Sequence, residues 1–161
     1  MENYIIRNAQ NADVKAISML LAQLGYETEP LTVQNMLSLS SKNDEIYVCV
    51  LQEKVIAVMS LIFFNYFPSA QKLCRITAIV VDEELRGSGV GSKLIEHAKF
   101  MASSVSCSIL EVTTSLKRQQ TQKYYESIGF EKTSMNGCVG IDGEYAQSSI
   151  TKLVNYFYKC V

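Results

Sequence analysis

The sequence predicts a mixed α/β (α+β) fold around one central sheet, and three observations carry that expectation. Short runs rich in β-branched and aromatic residues are interleaved with segments whose apolar residues recur at helical spacing. Their order is strand, two helices, three strands, helix, strand, helix, two strands, which amounts to about seven strands and about four helices packed in layers on one core. The composition is that of an ordinary globular chain, with 48% apolar and 19% charged residues. A chain of 161 residues buries about two thirds of its unfolded surface, so residues 1–161 are expected to form a single domain.

Each element has its own signal. Residues 4–7 read as a short strand. Val14, Ile17, Leu20, Leu21 and Leu24 then mark the first helix, which Gly25 stops. Pro30 opens a second helix with Thr32 as N-cap and Val33, Met36 and Leu37 inward, ended by Ser38, Ser40 and Ser41. Residues 45–52 and 55–64 form a hairpin across the turn Glu53-Lys54. Residues 73–81 are the next strand, and the polar stretch 82–85 leads from it into a glycine loop. The helix that follows carries Leu94, Ile95, Ala98, Met101 and Ala102 on one face. Residues 107–114 form a strand, 119–128 a short helix, 130–135 a strand, 136–147 a loop and 150–158 a last strand.

Several function classes are excluded early. No apolar stretch approaches the roughly 20 residues that cross a bilayer, and the start Met1-Glu2-Asn3-Tyr4 lacks the basic segment and apolar core of a secretory signal. A cytoplasmic location is therefore expected. The five cysteines, at 49, 74, 107, 138 and 160, are odd in number, scattered and without a C-x-x-C pair, so they suggest neither a disulfide framework nor a metal site. A net charge of −1 gives no general attraction to nucleic acid. The local concentration of Arg86, Lys93, Lys117, Arg118 and Lys123 suits a small polyanion better than DNA.

The most informative segment is Arg86-Gly87-Ser88-Gly89-Val90-Gly91. Three glycines at alternate positions, between a buried strand and an amphipathic helix, turn backbone N–H groups outward at the positive end of the helix dipole. One such dipole contact contributes only about 0.3–1 kcal/mol. Tight binding therefore needs Arg86 and several amides acting on one pyrophosphate. Glycine-rich turns also serve as plain tight connections. The loop is not a Walker A loop, because Ser92 separates Gly91 from Lys93. A Rossmann turn is a closer rival, with Glu111 near the distance of a ribose-binding acid. Against it stand Ser92 in place of the third fingerprint residue, a polar link before the first glycine, and the two helices and hairpin that precede the loop.

Residues 81–91 resemble the acyl-CoA loop of the GNAT superfamily of N-acetyltransferases, and Tyr124-Tyr125-Glu126-Ser127-Ile128-Gly129-Phe130 resembles that superfamily's second signature. The order of elements from residue 4 to 135 fits the same family, and Leu20-Leu21-Ala22-Gln23-Leu24-Gly25-Tyr26 is similar to the first helix of many small bacterial members. The resemblance implies a mostly antiparallel sheet in which the strand before the loop splays from the next. It implies that acetyl-CoA is the acyl donor, with no metal, and that a primary amine is the acceptor, attacking directly in a ternary complex. The pantetheine arm would lie along Ile79, Val80 and Val81. The pyrophosphate would take Arg86, Gly87, Ser88, Gly89, Val90, Gly91 and Ser92. Tyr125 would protonate the departing thiolate, while Tyr124, about 100° around the helix, would pack. Arg118 stands where many members carry a cofactor-contacting asparagine, and Thr121 where they carry alanine; Arg118 is kept as a cofactor contact.

No general base is assigned. Thr77 and Glu111 lie on the two strands expected to flank the cofactor, and His97, the one histidine, sits mid-helix near an apolar face as a structural residue is expected to. Acceptor choice in the family resides in the regions that here are residues 26–31, with Glu27 and Glu29; 65–71, with Tyr66 and Phe67 as a pocket wall or a dimer contact; and 136–147. The apolar run 153–158 either finishes the sheet or pairs with a second copy of the chain, which makes a homodimer a candidate partner alongside acetyl-CoA and the amine. Neither nucleic acid nor a membrane is expected. The alternative of a different class is a non-catalytic acyl-CoA-binding or regulatory module that keeps the loop without transfer.

Overall fold

The computed structural model describes residues 4–115, 118–136 and 155–160. The N-terminal strand β1 (Ile5–Asn8) leads through a 3-10 turn into α1 (Val14–Leu24), and Gly25 caps that helix with φ 99°, a left-handed conformation that glycine adopts without a Cβ penalty. Helix α2 (Pro30–Leu39) starts one residue after Glu29, with proline at its first position, where a missing N–H is harmless. Thr32 thus lies inside the first turn and is not the N-cap. Ser38 does not break the helix either; it lies within the last turn, with its Oγ donating back to the Gln34 carbonyl at 3.0 Å. Val33 is buried as expected, whereas Met36 faces solvent, since only a narrow stripe of α2 meets α1.

Strands β2 (Asp44–Leu51) and β3 (Lys54–Tyr66) form the hairpin, and its turn is Gln52-Glu53. Both residues have positive φ, 48° and 67°, the conformation of a tight two-residue hairpin turn. The register pair Leu51 and Lys54 enforces it, without the asparagine or glycine that would have marked it in the sequence. Strand β4 (Gln71–Val81), helix α3 (Val90–Ser104), strand β5 (Ile109–Ser115), helix α4 (Gln119–Ser127) and strands β6 (Glu131–Asn136) and β7 (Asn155–Cys160) complete the chain. Residues 137–147 of the expected loop, and 150–154 of the expected last strand, lie outside the described residues.

The seven strands make one sheet in the order β1-β2-β3-β4-β5-β7-β6, antiparallel throughout except between β4 and β5. β7 is inserted between β5 and β6, so the C-terminal run finishes the sheet and does not lie at an open edge. Helices cover both faces. On one, Val14, Ile17, Leu20 and Val33 pack on Val48, Val58 and Val80. On the other, Leu94, Ile95, Ala98 and Tyr125 pack on Met59, Leu61, Ile76 and Val112. Each fully buried aliphatic side chain contributes about 1.5–3 kcal/mol relative to exposure. Cys49 and Cys74 are buried free thiols in this second layer.

Ile76 and Val80 would share a face if β4 alternated strictly. They do not, because Ser60 pairs with Ala78 and Leu61 with Ile76, leaving Thr77 as an extra residue. This β-bulge reverses the alternation and bends the strand.

The start of the fold is held by an ion pair. Asp13, 5% exposed, accepts two hydrogen bonds from Arg7, at 2.7 and 2.9 Å, and one from the Gln10 amide at 2.8 Å. The Arg7 bonds, aided by Gln10 and opposed by burial, hold the Asp13 carboxyl below its ordinary value of 3.8. Its stabilising contribution is therefore present in full above that value and is lost as pH falls through the lowered one. Asp13→Ala is expected to remove about 2 kcal/mol at neutral pH, a gap that closes in acid. Urea unfolding at decreasing pH measures it, and a gap independent of pH would show that the pair is not its source.

Candidate active site

Strands β4 and β5 run parallel, and they pair only from Leu73 to Ile76 and from Ile109 to Val112. Beyond that point Ala78 to Val81 pair with β3 alone, while Thr113 to Ser115 pair with β7 alone. The bulge at Thr77 falls at the point of divergence. A cleft of about 680 Å³ opens there, with Ile76 and Val112 at its closed end, Ile79, Val80 and Val81 along one wall, and Thr113 and Thr114 along the other. The end of α1 and the following turn, Gln23 to Tyr26, border it, as do Thr121 and Tyr125 of α4.

At the open end stands the glycine loop. Gly87 and Gly89 have φ of 81° and 91°, so the loop requires left-handed backbone at both. Gly91 has no positive φ, and a Cβ there would meet the Tyr124 hydroxyl oxygen at 3.4 Å, an ordinary contact. Gly89 is the N-cap of α3 and offers no side-chain cap. The first amide to find a helical acceptor is that of Lys93, on the Gly89 carbonyl at 3.1 Å. The amides of Val90, Gly91 and Ser92 therefore lack intrahelical acceptors. The side chain of Val90 is core, so that residue has only backbone to offer a ligand, and the Ser92 hydroxyl bonds that of Tyr124 at 3.1 Å. Ser88 is exposed, with its Oγ on the Leu85 carbonyl at 2.6 Å. Lys93 pairs with Glu96 on the surface.

Arg86 lines the cleft and is held by one local and one long-range hydrogen bond. Its Nε donates to the Val81 carbonyl and its Nη2 to Gln23 Oε1, each at 3.3 Å, and the same Gln23 oxygen accepts the Glu83 amide at 2.9 Å. One side chain of α1 thus positions both ends of the short turn before the glycines. Arg118 also lines the cleft, and donates to the Leu24 carbonyl at 2.7 Å, strapping the start of α4 to the end of α1.

Tyr125 is 3% exposed and lines the cleft, with its ring 5.6 Å from those of Tyr124 and Phe130. Burial, reinforced by Tyr124 and opposed by Arg118, raises its pKa. The phenol keeps its proton at neutral pH. Tyr124 points to α3 and packs there, as its place on the helix predicts.

The base candidates separate. Thr77 lines the cleft, its Oγ1 2.6 Å from Ser60 Oγ. Glu111 does not: it points to the face opposite Leu110 and Val112 and is bound by Arg75 at 2.5 Å through both Nε and Nη2. His97 packs edge-on against Tyr47 with ring centroids 4.5 Å apart, and burial lowers its pKa. Among the described residues no carboxylate or imidazole lines the cleft. Tyr66 and Phe67 sit at the β3–β4 turn, Phe67 94% exposed, and neither reaches the cleft. Thr113 and Thr114 carry no motif and were not singled out by the sequence, and Gln23 stands in the first-helix stretch without a role assigned to it.

A mixed sheet whose parallel pair opens into a cleft, with an anion-cradling loop at its mouth and a buried phenol inside, defines an acyltransferase scaffold. The chain belongs to the acetyltransferase (GNAT) family, whose profile matches residues 12–130. It has the fold of an N-acetyltransferase from Staphylococcus aureus Mu50 (19% identity, TM-score 0.77, 98% of each chain covered). It also shares the fold of a transcriptional regulator from Bacillus halodurans C-125 (21%, 0.76, 89% of this chain and 100% of that one) and of Arabidopsis thaliana Naa50 in complex with the bisubstrate analogue CoA-Ac-MVNAL (13%, 0.70, 98% of each). No curated protein matches the sequence significantly. Among the described residues no helix is long and apolar enough to cross a membrane.

Proposed function

We propose that the protein transfers an acetyl group from acetyl-CoA to a primary amine by direct attack within a ternary complex. The observation that carries this reading is the divergence of β4 from β5 beside Tyr125. On the β5 side, β4 leaves backbone groups from Thr77 to Val81 without a strand partner, and backbone groups away from water call for hydrogen bonds. An extended, amide-bearing arm fits that edge. The free amides at the start of α3, together with Arg86, suit a pyrophosphate. Acetyl-CoA supplies an activated thioester, and the cleft holds that group against the attacking amine, so that proximity accounts for much of the rate.

In this reading the backbone near Val80 and Val81 polarises the thioester carbonyl, and Tyr125 donates its proton to the departing sulfur. Arg118 contributes a cation to the cleft while holding Leu24. The cleft-lining hydroxyl of Thr77 is placed to hold a water that receives the amine proton, because Glu111 is bound to Arg75 and faces away. The chain works as one domain, in the cytoplasm. The neighbour that holds a CoA-linked peptide supports acyl-CoA as the donor, and residues 26–31 remain the region expected to select the amine.

Calorimetric titration with acetyl-CoA, and with a truncated CoA lacking the 3′-phosphate and pyrophosphate, tests the reading. Saturable binding that requires the pyrophosphate, followed by amine-dependent release of CoA, supports it. Absence of binding by the intact protein overturns it.

A further inference from the structure

Gln23 stands in the last turn of α1, on backbone that is fixed before any ligand arrives. Val14, Ile17 and Leu20 of the same helix pack on the sheet. The helix end is closed by two further bonds, from the Gly25 amide to the Ala22 carbonyl and from the Tyr26 amide to the Leu21 carbonyl, each at 3.0 Å. The Gln23 side chain is exposed and lines the cleft. Both partners of its Oε1, the Glu83 amide and Arg86 Nη2, are donors, so the oxygen and not the nitrogen of the side-chain amide faces them. The bond from Glu83 is the shorter, 2.9 Å against 3.3 Å, and it anchors the oxygen that Arg86 then meets.

Arg86 is thereby held by one edge. Nε donates to the Val81 carbonyl and Nη2 to Gln23, and these two nitrogens share one edge of the planar guanidinium. The edge that remains, Nη1 with the second N–H of Nη2, is a fork of the kind that takes two oxygens of one phosphate in parallel. An untethered arginine loses rotamer freedom when it presents such a fork, whereas one already held has lost that freedom before the anion arrives.

Resting on the acyl-CoA reading of the cleft, we propose that Gln23 is a positioning residue for donor recognition, presetting the Arg86 fork so that the guanidinium meets the pyrophosphate with two parallel bonds. Gln23 acts through Arg86 and takes no part in the chemistry. Donor affinity in this way depends on the first helix, the same helix that leads into residues 26–31.

The test is a cycle of calorimetric titrations with CoA on wild type, Gln23→Met, Arg86→Lys and the double variant. Pantetheine, which lacks the pyrophosphate, is the second probe, measured as a competitor of CoA. Methionine matches glutamine in length and helix preference without offering a comparable acceptor, and lysine keeps the charge of arginine but loses the fork. Gln23→Met is expected to bind CoA about three- to tenfold more weakly and pantetheine as tightly as wild type, with KM for acetyl-CoA raised and kcat held. Arg86→Lys is expected to weaken CoA binding about tenfold in the wild-type background and less than about twofold beside Gln23→Met. Unchanged affinity for CoA in Gln23→Met overturns the assignment. An equal loss of CoA and pantetheine also overturns it, because the cleft is then disturbed as a whole. A lysine effect of the same size in both backgrounds overturns it too, showing that Gln23 acts without Arg86. Thermal unfolding without ligand is expected at the wild-type temperature in every variant, since both side chains are exposed; a lowered temperature in Gln23→Met assigns its loss of affinity to the helix end instead. Failure of wild type to bind CoA removes the reading of the cleft itself, an outcome distinct from wild-type binding that Gln23→Met leaves intact.

Discussion

Tyr125→Phe is expected to lower kcat by about 10²–10⁴-fold while leaving affinity for acetyl-CoA within about twofold of wild type. The ring is packed among Tyr124, Phe130 and the α3 face of the sheet, and phenylalanine fills the same volume, so the substitution removes one hydroxyl and little else. That hydroxyl is held in a protonated form by burial, which suits a donor to a departing thiolate. A raised pKa also means that Tyr125 stays protonated above its ordinary value of 10.0. The alkaline limb of the rate profile therefore should not fall through Tyr125 anywhere near neutrality. CoA release under saturating conditions, with calorimetry in parallel, measures both quantities. An unchanged kcat would reduce Tyr125 to a packing residue and leave solvent to protonate the thiol. Wild-type binding with no turnover on any amine would favour the non-catalytic acyl-CoA-binding module.

Gly89→Asp is expected to weaken acetyl-CoA binding by more than about 100-fold, since like charges forced together at a binding surface oppose association by several kcal/mol. A Cβ at Gly89 meets nothing within 4 Å, but the left-handed backbone there strains any side chain, aspartate and asparagine less than most. The two substitutions share that strain, so the comparison between them isolates charge. The protein should therefore fold, with a carboxylate where the pyrophosphate is proposed to lie. Asparagine at the same position is nearly isosteric but uncharged, and should recover most of the affinity. If aspartate and asparagine weaken binding equally, the backbone conformation and not the charge is responsible. If neither affects binding, the phosphates lie elsewhere.

Much of the fold and the heart of the site were legible in the sequence because their causes are local. Helical periodicity in residues 14–24 and 90–104, the glycine that ends α1, and the paired glycines of the loop each express the preferences of a few consecutive residues. Tyr125 was legible through the resemblance of residues 124–130 to the family's second signature, and the helix turn between neighbours sends Tyr124 to α3 and Tyr125 into the cleft. Even local reading failed where a common signal was absent. The Gln52-Glu53 turn adopts positive φ without glycine or asparagine, and Ser38 lies inside a helix despite its turn-forming side chain.

What the sequence by itself determined is the set of elements, the glycine loop and the tyrosine proposed as proton donor. Only the tertiary structure decided how these are brought to bear on one cleft. The bulge at Thr77 is a mismatch between β3 and β4, and it alone puts Ile76 and Val80 on opposite faces. The insertion of β7 beside β5, the capture of Glu111 by Arg75, the hold of Gln23 on the loop before the glycines and the bond from Arg118 to Leu24 all join segments distant along the chain. Such contacts depend on strand register and chain crossing, which are settled by burying both faces of the sheet at once and not by the preferences of any one segment.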